Sequence, residues 1–405
     1  MLPSLNRSEW LRARTHALRG SLHAMGIVLG LACSVLDSVP CYGQLWTTGY
    51  YPGYRQSYLP PSAIDFDALT HIIHFSLVPN TDGTLNYSAN GITAARSADL
   101  LARAHAAGRR VLVCVGGADS QTGFRGATSS VYLASFVSNL VSFVSVRGYD
   151  GVDVDWEPLD AADISQFTDL ISALRSGLKA QSQQSLLSAA AASQPELFAA
   201  LQDDFDQINL MTYDLAGPWP GWVTWFNSPV FDGSYRFPST GGLVPSLDGM
   251  VRDFLAAGVD SRKIGIGIAF YGNVWAGGAG TSTGGAALPR QEWTSAPTTS
   301  QIAFFDLMAN YYQSNLYHWD TNAQAAYLSI DPAGSANDKF ISYDDEHTCQ
   351  ANVSYARNQA LGGVMIWELG EGYRPSEPSG RQAPLLEAIR QSMDTPRLAV
   401  PRVNG

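Results

Sequence analysis

The sequence predicts an α/β fold: a (β/α)8 TIM barrel with a small α+β insertion between its seventh and eighth strands. Three observations carry this expectation. Short apolar runs alternate with amphipathic stretches over about 350 residues, a length that suits a closed eight-stranded barrel. The apolar runs are continuous, as in parallel strands buried on both faces. Glycine stands just past the ends of amphipathic stretches, at 108, 148, 258 and 362, where a left-handed helix cap is expected. An open doubly wound sheet is the alternative, but it would carry a Gly-rich phosphate loop after its first strand, and Gly49-Tyr50-Tyr51-Pro52-Gly53 is not one.

In chain order, 45–51 reads as the first strand and 71–77 as the second. A helix at 94–107 leads to the third strand, 111–115, which closes on Gly116-Gly117. A longer helix at 129–147 precedes the fourth strand at once, and 161–181 is the next helix. Strands five and six fall at 186–191 and 207–212, a helix at 246–257, and strand seven at 263–268. A helix at 346–361 leads into strand eight at 364–367, and 384–393 is a closing helix. The rhythm breaks between strand seven and the helix at 346. There 277–286 is loop-like, 302–310 a short helix, and 317–319, 326–330 and 339–342 alternate like small antiparallel strands, so an inserted subdomain is expected at 276–342 within a barrel of 44–395.

The two ends read differently. Arg7, Arg12, Arg14 and Arg19 precede an apolar run at 25–36 that is too short to span a bilayer, the pattern of an export leader. Residues 1–43 are expected to be cleaved near Gly43, which makes the protein secreted, with the periplasm as the other destination. Lipidation at Cys33 is the alternative, against which Gly30-Leu31-Ala32 is a poor match. Residues 396–405 read as an unstructured tail. Removing four arginines and two acids (Glu9 and Asp37) from a net charge of −11 leaves −13. That balance argues against nucleic acid or acidic polymers as partners and suits a neutral or weakly cationic substrate. With 45% hydrophobic and 15% charged residues, the chain can bury a large core. Cys114 and Cys349 are read as packing residues, the seven His are scattered, and no metal, cofactor or membrane partner is expected of what reads as a monomer.

The chemistry concentrates in the fourth strand, Asp150-Gly151-Val152-Asp153-Val154-Asp155-Trp156-Glu157. Successive strand residues point to opposite faces, so Val152, Val154 and Trp156 share one face, and Asp153, Asp155 and Glu157 the other. Three acids on one buried face raise one another's pKa unless they are paired or share protons. A solvated acidic edge is the plain reading. The sharper one is a proton-handling site, with Glu157 highest at the C-terminal rim, Asp155 one step of roughly 6.6 Å below, and Asp153 lower still. A proton shared by Asp153 and Asp155 would relieve the crowding, while Asp150 has the wrong parity and reads as structural. Strand six ends in Met211-Thr212-Tyr213-Asp214, strand eight in Trp367, strand two brings Phe75, and the loop after strand six carries Trp219, Trp222 and Trp225. Acids in an aromatic-lined cleft suit a sugar: rings bind pyranose faces, and a carboxyl protonates the glycosidic oxygen.

These residues resemble a known family. DGVDVDWE is similar to the D-x-x-D-x-D-x-E signature of family 18 glycoside hydrolases, the chitinase family. Gly49-Tyr50-Tyr51 resembles its first strand, Cys114-Val115-Gly116-Gly117 its S-x-G-G third strand, and Met211-Thr212-Tyr213-Asp214 its sixth. The stretch 265–275, ending Tyr271-Gly272-Asn273-Val274-Trp275, resembles the seventh strand, Trp367 the tryptophan of the eighth, and Tyr343-Asp344-Asp345 the element after the insertion.

The resemblance implies a chitinase acting on chitin and N-acetylglucosamine oligosaccharides by retaining, substrate-assisted hydrolysis, in which the substrate's acetamido oxygen forms an oxazolinium. Glu157 would be the acid and base, Asp155 would orient the acetamido group, Asp153 would hold or share its proton, and Tyr213 would bond the acetamido oxygen. Tyr50, Phe75, Gly117, Met211, Asp214, Tyr271 and Trp367 would bind substrate. Cys114 stands where the family has Ser, and Ala118-Asp119 where many members have Trp, so one sugar contact is expected to be missing. Glu368 and Glu371 are read as neighbours of the site. The alternatives are an endo-β-N-acetylglucosaminidase acting on glycoprotein glycans or peptidoglycan, and a chitin-binding lectin.

Overall fold

The computed structural model describes residues 45–332, 334 and 336–394, so the leader expected at 1–43 and the tail expected at 396–405 lie outside the described residues. The chain first lays down β1 (Trp46–Pro52), β2 (His71–Pro79), the short β3 (Leu85–Asn86), α1 (Ala94–Ala106) and β4 (Arg110–Gly117). It continues through α2 (Gln121–Ala127), α3 (Leu133–Arg147), β5 (Gly151–Trp156), α4 (Ile164–Gln181), β6 (Leu186–Ala191), α5 (Pro195–Leu201), β7 (Gln207–Leu210), α6 (Leu247–Ala257) and β8 (Ile264–Ala269). Then come β9 (Tyr271–Ala276), β10 (Thr298–Ala303), α7 (Phe304–Asn310), β11 (Tyr317–Asp320), β12 (Ala325–Ile330), β13 (Lys339–Tyr343), α8 (Glu346–Asn358), β14 (Gly363–Trp367) and α9 (Pro384–Asp394).

Eight parallel strands, β1, β2, β4, β5, β6, β7, β8 and β14, form a ring that closes where β14 pairs with β1. The strand pleat sorts side chains into two shells. Val111, Val113 and Val115 of β4, Val152, Val154 and Trp156 of β5, and Ile264, Ile266 and Ile268 of β8 face outward into the helix layer. There they pack with residues such as Leu140, Phe167, Leu174, Phe254 and Ile389. Leu112 and Cys114, and with them Tyr50, Ile73 and Met365, face the barrel interior. Register pairs Cys114 with Asp153 and Gly116 with Asp155, so the acids of β5 climb the inside wall. Trp156 anchors the outer side by stacking on Phe124 of α2, centroids 4.5 Å apart and planes within 6°. At the strand's entrance Asp150 accepts bonds from Arg110 and His105, each at 2.8 Å, and from the Val111 amide at 2.7 Å, a structural post.

A second sheet, of five antiparallel strands in the order β10-β9-β13-β12-β11, occupies the chain between β8 and β14. Its strands pair Gln301 with Asn273 and Ser342 with Asn273. Part of it packs against the tryptophan-rich segment after β7, through Trp275, Phe340, Trp225 and Phe226.

Several expectations shift. The barrel's seventh strand ends at Ala269, and Tyr271–Ala276 belongs to the other sheet. The two part at Phe270, whose amide bonds the Trp367 carbonyl while its own carbonyl takes the Phe304 amide. β10 is a strand that takes in Ile302 and Ala303, where a helix start was expected, because cross-strand pairing overrides the weak local pattern of Thr298–Ala303. The helix expected at 129–147 begins at Leu133, and α2 and α5 are short helices the pattern did not reveal. Glycine caps at 108, 148 and 258 have φ of +72°, +84° and +101° as expected. Gly362 is different: the left-handed residue after α8 is Ala360, with φ +53°. A Cβ on Gly362 would lie 2.1 Å from Trp46 Cη2 and 2.3 Å from the Arg262 carbonyl oxygen, so close packing demands glycine there.

Gly362→Ala is therefore expected to destabilise the fold by on the order of 3 kcal/mol, since an indole and a backbone carbonyl must both move. Urea unfolding followed by tryptophan fluorescence measures this, and an unchanged midpoint contradicts the packing argument.

Candidate active site

The C-terminal ends of the barrel strands surround a cleft of about 720 Å³. Tyr50, Phe75, Gly117, Asp155, Glu157, Met211, Tyr213, Asp214 and Trp367 all line it, which brings nine of the expected residues together. Asp153 lies beneath, fully buried. Trp367 meets Phe75 edge-on at 4.8 Å and Tyr50 at 5.4 Å, an aromatic floor. The peptide bonds Phe75–Ser76, Glu157–Pro158 and Trp367–Glu368 are cis.

Glycine makes the acid file accessible. Gly116 and Gly117 have φ of +112° and +108°. A Cβ at 116 would lie 1.9 Å from the Asp155 carbonyl oxygen, and one at 117 would lie 2.5 Å from Phe75 Cζ. Only glycine lets β4 pass this close to the strand that bears the acids. Ser120 then ties the turn after β4 to β5: its hydroxyl donates to the Asp155 carbonyl at 3.3 Å and accepts the Glu157 amide at 3.2 Å.

Each carboxyl finds a different solution to burial. Asp153 accepts the Tyr50 hydroxyl at 2.8 Å and the Ser188 hydroxyl at 2.6 Å. Burial pushes its pKa up, and bonds from Ser188, Tyr50 and the Cys114 thiol pull against that. Cys114 thus still serves Asp153 as a donor, its own pKa held well up by burial so that it stays a thiol. Asp155 is pushed well above the ordinary carboxyl range by burial, then by the charges of Glu157 and Asp153 and by a hydrogen bond with Glu157. The shared hydrogen bond therefore runs from Asp155 to Glu157 above it, not to Asp153 as expected, because Asp153 is already occupied by Tyr50 and Ser188. The Oδ1 atom of Asp155 is buried without a hydrogen-bond partner among the described residues. Glu157 is raised by burial and by the charges of Asp214 and Asp119, with the Asp155 bond opposing. Tyr213 is pushed well above its ordinary value by burial and by the surrounding carboxylates, which keeps it a phenol; its hydroxyl lies 3.7 Å from Met365 Sδ. A carboxyl of raised pKa at the mouth, a second acid below it that shares a hydrogen bond with it, and a neutral phenol can deliver and withdraw a proton beside developing positive charge.

Other expectations are corrected. Tyr271 is buried behind Asp214 and is not part of the cleft lining; its hydroxyl donates to Asp214 Oδ1 at 2.7 Å, because β9 runs in the second sheet. None of Trp219, Trp222 and Trp225 lines the cleft. Trp225 is a core residue with the Arg290 guanidinium 5.0 Å over its ring, and Trp219 packs edge-on against Trp222 at 4.5 Å. Glu368 and Glu371 are neighbours held by Arg55, at 3.0 and 2.7 Å. Ala118 and Asp119 do line the cleft, Asp119 with φ +62°. Tyr54, Asn90, Ser120 and Gln301 also line it and carried no signal in the sequence, since each reaches the site through a turn or from the other sheet. Among the described residues, no group of three or more His, Cys, Asp and Glu could hold a metal ion.

The chain is similar to known proteins. The family model for glycosyl hydrolases family 18 matches residues 46–372. Chitinase A1 of Niallia circulans is 32% identical over 268 residues, 58% of this chain and 36% of that protein. The class V chitinase of Arabidopsis thaliana is 27% identical over 361 residues, covering 84% of this chain and 88% of that one. The chain spans less than half the length of the Niallia protein and of a probable endochitinase of Caenorhabditis elegans, 36% and 45%. Among solved structures, a family 18 N-acetylglucosaminidase from Paenibacillus barengoltzii superposes with a TM-score of 0.70 at 25% identity, over 86% of this chain and 99% of that one. The Group IV chitinase of Ostrinia furnacalis in complex with allosamidin shares the fold, with a TM-score of 0.71 at 20% identity over 86% of this chain and 98% of that one. A closed barrel with a D-x-x-D-x-D-x-E strand in its wall, matched by the family model over residues 46–372, settles the assignment: this chain belongs to glycoside hydrolase family 18.

Proposed function

We propose that the protein is a secreted, monomeric chitinase that hydrolyses the β-1,4 bonds of chitin and N-acetylglucosamine oligosaccharides with retention of configuration. One observation carries the reading. The Oδ1 atom of Asp155 is a buried acceptor without a partner among the described residues, on the lining of a cleft floored by Trp367, Tyr50 and Phe75. An unmet buried acceptor costs about 1–3 kcal/mol, and the N–H of a substrate acetamido group would satisfy it. In that pose Asp155 steers the acetamido oxygen onto the anomeric carbon and stabilises the oxazolinium that forms. Glu157 donates its proton to the leaving oxygen and then activates water. Tyr213 donates to the acetamido oxygen, and Asp153, held by Tyr50 and Ser188, supplies charge below. The antiparallel sheet between β8 and β14, through Gln301, would supply one wall of the cleft. The likeness to the Paenibacillus N-acetylglucosaminidase bears on a second reading, an endo-β-N-acetylglucosaminidase acting on glycoprotein glycans or peptidoglycan. Product analysis on chitin, N-acetylglucosamine hexamer and a high-mannose glycopeptide separates the two.

Glu157→Gln is expected to lower kcat by roughly 10³-fold or more while chitooligosaccharide binding, read by calorimetry, is kept. Turnover at the wild-type rate sinks the mechanism. Asp155→Asn should lose about 10²–10³-fold in kcat/KM, because the charge that meets the oxazolinium is gone. Proton NMR of the first product should show the β-anomer, and an α-anomer excludes the substrate-assisted route. As an acid, Glu157 works only while protonated, so kcat/KM should fall as pH rises through its raised pKa. Asp214→Asn, by removing one of the charges that raise it, should move that alkaline limb to lower pH.

A further inference from the structure

Asp214 enters the cleft from a left-handed backbone position, φ +56°, just past the end of β7. Its amide bonds the Asn227 side chain at 3.2 Å, which leaves the carboxylate to be placed by its own partners. Two donors meet it, both from the antiparallel sheet. Tyr271 of β9 donates to Oδ1 at 2.7 Å from behind, and the Gln301 side-chain amide of β10 donates to Oδ1 and Oδ2 at 3.1 and 3.2 Å from the open side. Gln301 is exposed, as is Asp214, and both line the cleft, so the pair lies where a ligand would meet it.

We propose that Gln301 is a positioning residue for the hydrolytic reaction, a neutral clamp that holds the Asp214 carboxylate in place without cancelling its charge. The inference rests on the hydrolase reading above, and it identifies a contribution of the second sheet to the reaction. Among the described residues no Lys, Arg or His lines the cleft. The guanidinium of Arg55 is committed to Glu368 and Glu371. The groups that face Asp214 are Tyr213, Tyr271 and Gln301, with Glu157 and Glu371 as charges that sense it. Those that face Glu157 are Asp155, Asp119, Asp214 and Tyr213. Asp214 and Asp119 both favour the protonated form of Glu157 that an acid catalyst needs. A cation at 301 would fix Asp214 equally well and offset the field that it exerts on Glu157. An amide fixes it and leaves the field intact.

The test compares Gln301→Ala, Gln301→Lys and Gln301→Glu with the wild type on 4-nitrophenyl N,N′-diacetylchitobioside across pH, with thermal melting alongside. Position 301 is exposed on the edge strand of its sheet, so melting temperatures should match the wild type. Gln301→Ala should lower kcat/KM about tenfold, the scale of one lost hydrogen bond to a charged group. Gln301→Lys should move the alkaline limb of kcat/KM to lower pH, and Gln301→Glu should move it to higher pH. A Gln301→Ala enzyme with wild-type kcat/KM, or a Gln301→Lys limb that stays in place, overturns the clamp. A wild type that cleaves no N-acetylglucosamine glycoside overturns the hydrolase reading instead. The clamp is then judged by a crystal structure of Gln301→Ala: an Asp214 carboxylate displaced from its wild-type position supports it, and an unmoved one refutes it.

Discussion

The rest of the structure depends on keeping three carboxyls on one buried face of a strand without a cation among them. Elsewhere the protein pairs its acids with guanidinium groups: Asp163 with Arg125, Asp206 with Arg175, Asp320 with Arg290, and Glu368 with Arg55. In the barrel's mouth it does not. Asp153 is held by two hydroxyls and a thiol, Asp155 and Glu157 share a hydrogen bond, and Asp214 is held by a phenol and an amide. Neutral donors fix geometry and let burial and mutual repulsion keep the upper two pKa values high. An arginine in the same place would lower them and abolish the proton store.

The two sheets divide the work accordingly. The barrel sets the depth of the acid file, because parallel register locks Cys114 to Asp153 and Gly116 to Asp155, while Val152, Val154 and Trp156 are committed to the helix layer. A one-residue slip would turn every acid outward and every valine inward, so the register is strongly specified. The antiparallel sheet instead reaches in from the side. Tyr271 and Gln301 sit on its paired strands β9 and β10, and their common target is Asp214. Glycine marks where the backbones come too close for any side chain, at 116 and 117 beside the acids and at 362 against Trp46.

Much of this was legible in the sequence. The eight barrel strands, the parity of the acids and the grouping of Glu157, Asp155, Tyr213 and Trp367 follow from period-two patterning and from motif strings that are local. Signals that look local but are tertiary misled. Gly362 reads as a helix cap but is a packing contact, the three tryptophans after β7 read as a sugar platform but line no part of the cleft, and Tyr271 reads as a cleft residue but backs another one. In each case composition showed the residue type and not the neighbour.

The sequence by itself determined which face of β5 carries the acids and their order from floor to rim, because strand periodicity is a property of consecutive residues. Only the tertiary structure decided which donor meets each acid. Tyr50 comes to Asp153 from 103 residues away, and Gln301 to Asp214 from 87. Such contacts exist only once the barrel has closed and the second sheet has paired, and nothing in the local pattern around Tyr50 or Gln301 encodes the approach of strands so distant along the chain.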